Sequence, residues 1–447
     1  MAYPEDILNV LDDLLAMTKA KGADASDAVY INSNSLAVAQ RLGNPEKLER
    51  SESIDVGLRV LVGKGQAIVS SSDVSSKAFE ELADRAVAMA KSVPKDPFCG
   101  LADPEQLVTK LVDIDSFDPD EPTVETLIDW ANRSEDAARA VKGVTNSEGA
   151  EAGWGRATIS IAATNGLSQT YSGSHYSLST SVLAGQGTAM ERDYEYTGAV
   201  YAEDLSTPEE VGKTAGEKAV RRLNPKKVDT VQVPVVFDDR TARSLISNFA
   251  NAINGSAIAR ETSFLKDMMG EGVFRDGINI IDEPHRKRGL RSKPFDGEGL
   301  ANKRRKLVED GRLTTWLLDL RSARQLGLQP TGHASRSTSS PPSPSATNLY
   351  IQAGEASPSE LMSEIKNGLY VTELIGFGIN GLTGDYSRGA SGFWIENSET
   401  AYPVSEVTIA GNLKDIFMQL TPANDLQFRY GIDAPTIRVD GMTVAGK

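Results

Sequence analysis

The residue types that most often carry catalysis are scarce in this chain. Its 447 residues include three histidines, His175, His285 and His333, and one cysteine, Cys99. No two of these histidines lie close enough in sequence to share one face of a helix, which excludes a His-Glu-x-x-His metal helix. A single cysteine cannot form an intramolecular disulfide, and this is typical of proteins from reducing compartments.

His333 is the histidine for which a chemical role stays open. It follows Gly332 in the segment PTGHAS, and a histidine in such a loop can act as a general base or as a metal ligand. Lone histidines are more often hydrogen-bonded structural residues, and we favour that interpretation. His175 lies in a strand-like run and His285 in a turn, and both are interpreted as structural.

A second candidate region is the glycine-rich segment NGLTGDYSRGASGFWIEN, residues 380–397. It lacks the Gly-Lys-[Ser/Thr] ending of a phosphate loop. Its glycines permit another backbone to come close, and its polar and aromatic side chains suit an extended peptide laid beside them. The candidate contact residues are Asp385, Tyr386, Arg388, Gly389, Phe393, Trp394, Glu396 and Asn397. The alternative is a hairpin whose glycines serve only its own turns, and these residues alone leave both possibilities open.

The elements that must position these residues begin with helices at residues 4–21, 75–91 and 124–141, each with apolar residues at helical spacing. Thr207, followed by Pro208, predicts the start of a further helix. Strand-like runs separate these helices.

Proline-rich and polar connectors divide the chain into three predicted parts. They are an N-terminal α/β subdomain over residues 1–110, a central α/β subdomain over 111–228 and a mainly β C-terminal domain over 229–447. The fold class is α+β, with a mixed α/β N-terminal half followed by the mainly β domain.

The sequence predicts the local structure of three segments in the C-terminal domain. A helix capped by Asp238 or Asp239 is predicted over residues 241–259. Nine Lys and Arg residues lie within 286–306, and a solvated hairpin is favoured over a docking patch. The Ser- and Pro-rich segment 336–348 is predicted to be a mobile surface loop.

Composition limits the partners of the chain. The formal charge of −15 disfavours nucleic acid and anionic membranes as partners, and no apolar run is long enough for a membrane helix. The first residues are acidic where a signal peptide would be basic, so we expect a cytoplasmic protein. Proteins, peptides and small molecules remain as partners.

The segment GFGINGLTGDYSRGASGFWIENSETAYPVSEVTIAGNLKDIF, residues 376–417, resembles the C-terminal signature of the TldD/PmbA peptidase family, in its PmbA (TldE) branch. Supporting segments are SKPFDGEGL at 292–300, DGRLTTWLLDLRSARQLGL at 310–328 and TGHAS at 331–335. The resemblance extends from the first helix to the C-terminus. It implies the α+β fold just described and a cytosolic peptidase complex.

In this family, TldD carries zinc on a His-Glu-x-x-x-His helix and a downstream cysteine, and PmbA is its partner in a heterodimer that degrades unfolded or extended peptides. The matching helix here is TARSLISNFANAINGSAIARETSF, residues 241–264, which contains no histidine. The two histidine positions fall at about Ser247 and Ala252, and the glutamate position at Asn248. These positions are vacant, so the resemblance implies no metal and no catalytic residue in this chain, with zinc in the partner.

Three functions are compatible with these observations. In the first, which we favour, the chain is a non-catalytic partner of a TldD-type zinc peptidase, and its glycine-rich strands form part of the interface and of the wall that guides a peptide. Alternatively, it is a homodimer that binds peptides without proteolysis. The third possibility is a metal-independent hydrolase that uses His333 with Asp385 or Glu396.

Overall fold

The computed structural model describes residues 4–446, with side chains from Ile7 onward. Residues 1–3 and 447, at the outer ends of the first and last predicted domains, lie outside the described residues. The helices are α1 (Pro4–Ala20), α2 (Ser76–Ser92), α3 (Val124–Arg139), α4 (Pro208–Arg221), α5 (Asp239–Ala252), α6 (Gly255–Ala259), α7 (Leu320–Leu326), α8 (Pro358–Met362) and α9 (Leu413–Gln419). Within residues 4–446, no helix combines the length and the apolar character needed to cross a membrane.

The strands occupy both halves of the chain. They are β1 (Ala25–Arg41), β2 (Asn44–Val62), β3 (Gly65–Ser71), β4 (Val144–Ala163), β5 (Ser168–Ala184), β6 (Glu191–Ala199), β7 (Val231–Phe237), β8 (Ile280–Asp282), β9 (Arg305–Glu309), β10 (Arg312–Leu313), β11 (Ala334–Ser335), β12 (Ser343–Pro344), β13 (Leu349–Ile351), β14 (Asn367–Ile375), β15 (Asp385–Glu396), β16 (Glu399–Asn412), β17 (Leu420–Pro422), β18 (Ile432–Asp433) and β19 (Ile437–Ala445).

The N-terminal half is built on one antiparallel sheet with the strand order β3-β2-β1-β4-β5-β6. In the centre of this sheet, Ala28 of β1 lies opposite Leu58 on one side and Ala162 on the other. Successive side chains of a strand point to opposite faces. Helices α1 to α4 cover one face, whereas Val29 on the other face packs in a cluster with Phe295 of the C-terminal half. A polar stretch with four prolines, residues 97–122, separates β3 from β4 in the sequence. The sheet therefore joins β1 to β3, which precede this stretch, to β4 to β6, which follow it.

Helix ends follow capping signals in the sequence. At the start of α4, the Thr207 side chain accepts a hydrogen bond from the Glu210 amide at 3.3 Å, and the Glu210 carboxylate accepts one from the Thr207 amide at 3.0 Å. The helix predicted over 241–259 is instead divided into α5 and α6. Asn254 is the reason, because its side chain accepts from the Ser256 amide at 3.0 Å and begins a new helix.

The C-terminal half is mainly β, as predicted, and encloses α5. One sheet has the strand order β16-β15-β14-β7-β19-β17. Because β16 also pairs with β19, the five strands from β16 to β19 in this order form a closed ring. A second sheet has the order β10-β9-β8-β13-β18. Leu245, Ile246 and Phe249 of α5 are fully buried in the apolar core between these elements. The predicted α+β fold class is confirmed.

A buried ionic cluster joins the two halves. Asp27 of β1 accepts from Arg59 of β2, and its other carboxylate oxygen lies 2.6 Å from Nη1 of Arg336 in the C-terminal half. All three side chains are almost inaccessible to solvent. Burial opposes ionisation of Asp27, but the Arg336 and Arg59 guanidinium groups outweigh it and hold the pKa of Asp27 below its usual value.

The expectation of a surface loop at 336–348 holds for its middle, where residues 339–341 are exposed, but not for its two ends, which are anchored by buried contacts. Arg336 is buried against Asp27, and the following chain runs tightly over the N-terminal sheet, where a Cβ on Gly57 would lie 2.2 Å from the Thr338 carbonyl oxygen. The Ser and Pro content predicted mobility, but the contacts that order this segment come from residues distant in sequence.

The basic segment 286–306 is not a solvated hairpin either. Arg288 Nε lies 2.8 Å from Asp115, and its Nη1 lies 2.7 Å from Glu203 and 3.1 Å from Asp204. These acids belong to the N-terminal half. Part of the basic segment therefore neutralises acidic loops across the boundary between the halves.

Replacing Asp27 by asparagine is expected to lower the free energy of unfolding by about 3–5 kcal/mol, because buried Arg336 loses its carboxylate at 2.6 Å and buried Arg59 is left with the more distant Glu298 at 3.9 Å. Urea unfolding followed by circular dichroism measures the effect. The matched control is Asp129→Asn, which weakens an exposed pair with Arg133 and should change the unfolding midpoint little. Equal midpoints for both variants would contradict the structural role of the cluster.

Candidate functional site

The glycine-rich segment forms the second part of the loop between β14 and β15 and the whole of β15. Gly392 lies so close to β14 that an added Cβ would be 1.9 Å from the Tyr370 carbonyl oxygen, and a Cβ on Gly389 would be 3.3 Å from Ile375. Gly384 has a φ of +84° in the connecting turn. The close approaches at Gly389 and Gly392 are therefore to the hairpin's own strand β14, as in the hairpin alternative, whereas a Cβ on Gly384 would lie 3.0 Å from Asn412 and 3.3 Å from Phe264.

The aromatic candidates of this segment are buried. Tyr386 and Trp394 belong to the core around α5, and Phe393 lies beneath the Arg221 guanidinium, whose Cζ is 4.6 Å from the ring centroid. Burial raises the pKa of Tyr386 above its usual value. Tyr386 and Phe393 stabilise the fold and are not free to anchor a peptide in this conformation, whereas Trp394 also lines a cavity of about 740 Å³ beside β7.

The polar candidates lie at the two ends of β15. Asp385 is exposed, and hydrogen bonds from Thr383 at 2.6 Å and Asn412 at 3.2 Å hold its pKa below the usual value. Glu396 and Asn397 stand at the opposite end, where the chain turns into β16. A strand of this length separates its ends by about 30 Å, so Asp385 and Glu396 cannot act on one bond.

His333 lies in a closed polar cluster. Its Nδ1 is 2.8 Å from Thr331 Oγ1, and its Nε2 is 3.3 Å from a carboxylate oxygen of Asp282. Asp282 is fully buried and accepts from the Thr347 amide at 2.7 Å. The ring nitrogens thus contact Thr331 and Asp282 instead of Asp385 or Glu396. The structure does not bring together the groups that the hydrolase possibility needs.

Helix α5 presents its polar face to a cavity of about 610 Å³. We name it the arginine cavity; its lining includes Arg240, Arg243, Ser247, Asn248, Arg291 and Arg388. The structure thus brings Arg388 of the glycine-rich segment together with two of the three vacant metal positions. Ala252, the third, faces the apolar core instead.

The residues of the arginine cavity do not fit a zinc ion. Ser247 donates its hydroxyl to the Arg243 carbonyl oxygen at 3.1 Å, and Asn248 and Ala252 offer neither imidazole nor thiolate. Several guanidinium groups repel a divalent cation. Among residues 4–446, no three His, Cys, Asp or Glu side chains are arranged to hold a metal ion.

Contacts across the halves shape this cavity. Arg240 Nη1 lies 2.9 Å from Asp193 of β6, and its Nη2 donates to the Thr372 carbonyl oxygen at 2.6 Å. Burial opposes the charge of Arg240, but Asp193 outweighs it and raises the pKa of Arg240. Arg243 stacks over Tyr430, with its Cζ 4.3 Å from the ring centroid.

The sequence prediction missed three lining arginines, Arg240, Arg243 and Arg291. A signal for the first two was present, because α5 carries polar residues at helical spacing from Arg240 to Asn251. Arg291 belongs to an irregular segment distant in sequence, and only the tertiary structure places it in the cavity.

Three sequence profiles of one family match successive parts of the chain. The PmbA/TldA metallopeptidase domain 1 matches residues 26–90, the central domain matches residues 117–223, and the C-terminal domain matches residues 230–446. Together they span both halves of the fold.

Individual relatives cover nearly the whole chain. The metalloprotease PmbA of Escherichia coli O157:H7 is 37% identical over 435 residues, which are 97% of this chain and 95% of the relative. The crystal structure of a proposed modulator of DNA gyrase from Bacteroides thetaiotaomicron has a TM-score of 0.90 and 25% identity, covering 98% of each chain. That of TldE from Thermococcus kodakarensis has a TM-score of 0.85 and 19% identity, covering 98% of this chain and 100% of the other, and shares the fold.

Replacing His333 by alanine is expected to destabilise the chain by roughly 2–4 kcal/mol, because it opens a cavity and removes a buried partner of Asp282. His285→Ala is the matched control, since His285 is only partly buried and contacts Asn302 at 2.6 Å. A peptide-cleavage assay of each variant mixed with a TldD-type paralogue, below the unfolding temperature, should show no loss specific to His333→Ala. Lost cleavage with an unchanged unfolding midpoint would instead support the hydrolase possibility.

Proposed function

The chain belongs to the PmbA/TldD metallopeptidase family, and we propose that it is the non-catalytic subunit of a two-chain zinc peptidase. Its partner is a TldD-type chain that carries the zinc. The complex degrades or processes unfolded and extended peptides in the cytoplasm. This chain contributes part of the interface and of the wall along which the peptide lies.

The observation that carries this proposal is the polar face of α5. At the positions where the resemblance places the zinc helix of TldD, this chain has Ser247, Asn248 and Ala252, and the adjoining cavity is lined by arginines. The site lacks both metal ligands and a general base, while the surrounding fold is intact. A peptidase site must then come from another chain.

An apolar tip on the β14–β15 hairpin supports association with a partner. Ile375, Phe377 and Leu382 are exposed there, and the Phe377 side chain is fully exposed to solvent. Solvent-exposed apolar side chains clustered on one protrusion are typical of protein interaction surfaces. We assign the apolar tip to the interface with the TldD-type subunit.

The cytoplasmic assignment is supported by the cysteine content. Cys99 is buried, and burial raises the pKa of its thiol, so it is a poor nucleophile. A chain stabilised by buried ion pairs and without disulfides suits a reducing compartment.

The same apolar tip also suits the second possibility, a homodimer that binds peptides without proteolysis. A second copy of this chain offers an identical apolar surface, and such self-complementary contacts are common in dimers. Cleavage activity separates the two possibilities, because a homodimer alone lacks the zinc site.

Cleavage of an unfolded peptide is expected only when the purified chain is mixed with a TldD-type paralogue. Each protein is assayed alone and in the mixture, and complex formation is followed by size-exclusion chromatography with light scattering. Cleavage by this chain alone, resistant to a chelator, would refute the proposal. Cleavage by the paralogue alone at the rate of the mixture would also refute it.

The interface assignment has a matched control. Leu382 on the apolar tip and Leu48 on β2 have nearly the same exposure, 60% and 62%. Leu382→Asp should weaken the complex about tenfold or more, since it puts a charge into an apolar contact. Leu48→Asp should leave the affinity unchanged. Equal effects of the two variants would place the interface elsewhere.

A further inference from the structure

The charges of the arginine cavity are incompletely neutralised. Arg240 is paired with Asp193, and Glu373, which also lines the cavity, is engaged by Arg222 at 2.6 Å. Arg243, Arg291 and Arg388 have no carboxylate in ion-pair contact within the described part of the chain. The lining therefore keeps about three positive charges that its own carboxylates do not balance.

The three unpaired guanidinium groups are held by neutral groups. Arg388 Nε donates to the Ile375 carbonyl oxygen at 3.4 Å, and Arg291 Nη2 donates to the Ala346 carbonyl oxygen at 2.9 Å. Arg243 lies over the ring of Tyr430. Burial lowers the pKa of Arg291, and the Asp282 carboxylate only partly offsets this effect. An anion bound in the cavity would offset the unfavourable free energy of burying this positive charge.

Unused hydrogen-bonding groups border the same space. Asn248 Nδ2 and Thr372 Oγ1 are buried without a hydrogen-bond partner, and both residues line the cavity. The amide nitrogen can only donate, and the hydroxyl can donate as well. Buried polar atoms without partners are uncommon in folded proteins, and a ligand or an ordered water beside them would satisfy them.

We propose that the arginine cavity binds a carboxylate group of an extended peptide. This inference rests on the proposed function, from which the peptide is taken. A carboxylate accepts several hydrogen bonds at once and pairs with guanidinium groups in a bidentate geometry. Arg388 and Arg243 hold the carboxylate, and Asn248 donates a further hydrogen bond.

The position of the cavity fits this role. It lies between α5 and the β14–β15 hairpin, beside the segment that carries the apolar tip. Its volume of about 610 Å³ is within the usual range for small-ligand sites and admits the end of a peptide or one acidic side chain. The carboxylate is either the C-terminus of the peptide or an Asp or Glu side chain, and the test distinguishes these sources.

The test measures binding of fluorescent peptides to the full chain alone, by anisotropy. Three unstructured peptides of the same length carry the label at the N-terminus. One has a free C-terminus and no acidic residue, one is the same peptide amidated, and one is amidated with a single internal glutamate. The free peptide, the glutamate peptide or both should bind about tenfold or more tightly than the amidated peptide.

Arg388→Gln should remove most of that preference, weakening the carboxylate peptides about tenfold and leaving the amidated peptide unchanged. Arg243→Gln should act in the same direction. Arg275→Gln is the control, because Arg275 is exposed elsewhere and donates to Thr421 at 2.6 Å. Unfolding midpoints verify that the variants are folded.

The preferred peptide identifies the source of the carboxylate. Preference for the free peptide identifies the C-terminus, and preference for the glutamate peptide identifies a side chain. Equal binding of all three peptides, no binding of any, or an equal effect of Arg388→Gln on all three would overturn the proposal. Since no partner and no zinc are present, these outcomes do not depend on whether the two-chain peptidase forms.

Discussion

The fold depends on one buried carboxylate shared by two arginines. Asp27 in the N-terminal sheet holds Arg59 from the neighbouring strand and Arg336 from the C-terminal half, all out of contact with water. Transfer of these charged groups from water into the protein interior is unfavourable, so the cluster is stable only when all its members are paired. Removal of one member is strongly destabilising, because it leaves an unpaired charge in a medium of low polarity. It therefore specifies one way of docking the two halves.

That docking also completes the site. Arg240 lies in the first turn of α5 in the C-terminal half, and its carboxylate partner, Asp193, lies on β6 of the N-terminal sheet. Arg222 at the end of α4 likewise reaches Glu373 on β14. The wall of the arginine cavity thus contains contacts from both halves. A shift of the N-terminal sheet would change the charge balance of the cavity, even without a change in α5.

Under the proposed function, helix α5 accounts for how one fold can serve two kinds of subunit. Its apolar face fills the core and fixes the helix in place, so its polar face is free to differ without loss of the fold. Ligands for a cation on this face give a zinc site. Here the face carries arginines, which repel a cation, together with serine and asparagine, which can donate hydrogen bonds to an anion. Retention of the fold and loss of the metal are therefore physically compatible.

Local signals in the sequence were sufficient for α1 to α4, the cap of α4 and the α+β class, because capping and periodicity act over a few residues. The Thr207 cap and the apolar spacing of α1 are examples. Contacts between distant residues were not predictable. Arg336 and Arg291 lie in polar segments that resemble surface loops, and only tertiary contacts give them buried partners. Arg336 pairs with Asp27 of the N-terminal half, and Arg291 donates to the Ala346 carbonyl oxygen within the C-terminal half. The aromatic residues of β15 were predicted as contacts but fill the core, since aromatic side chains suit both roles.

The central claim is that this chain is the metal-free half of a zinc peptidase. The most direct measurement is the zinc content per chain, determined by mass spectrometry of the dialysed protein alone and of its purified complex with a TldD-type paralogue. The account predicts no stoichiometric zinc in the isolated chain and one zinc ion per complex. One zinc ion per isolated chain would contradict it.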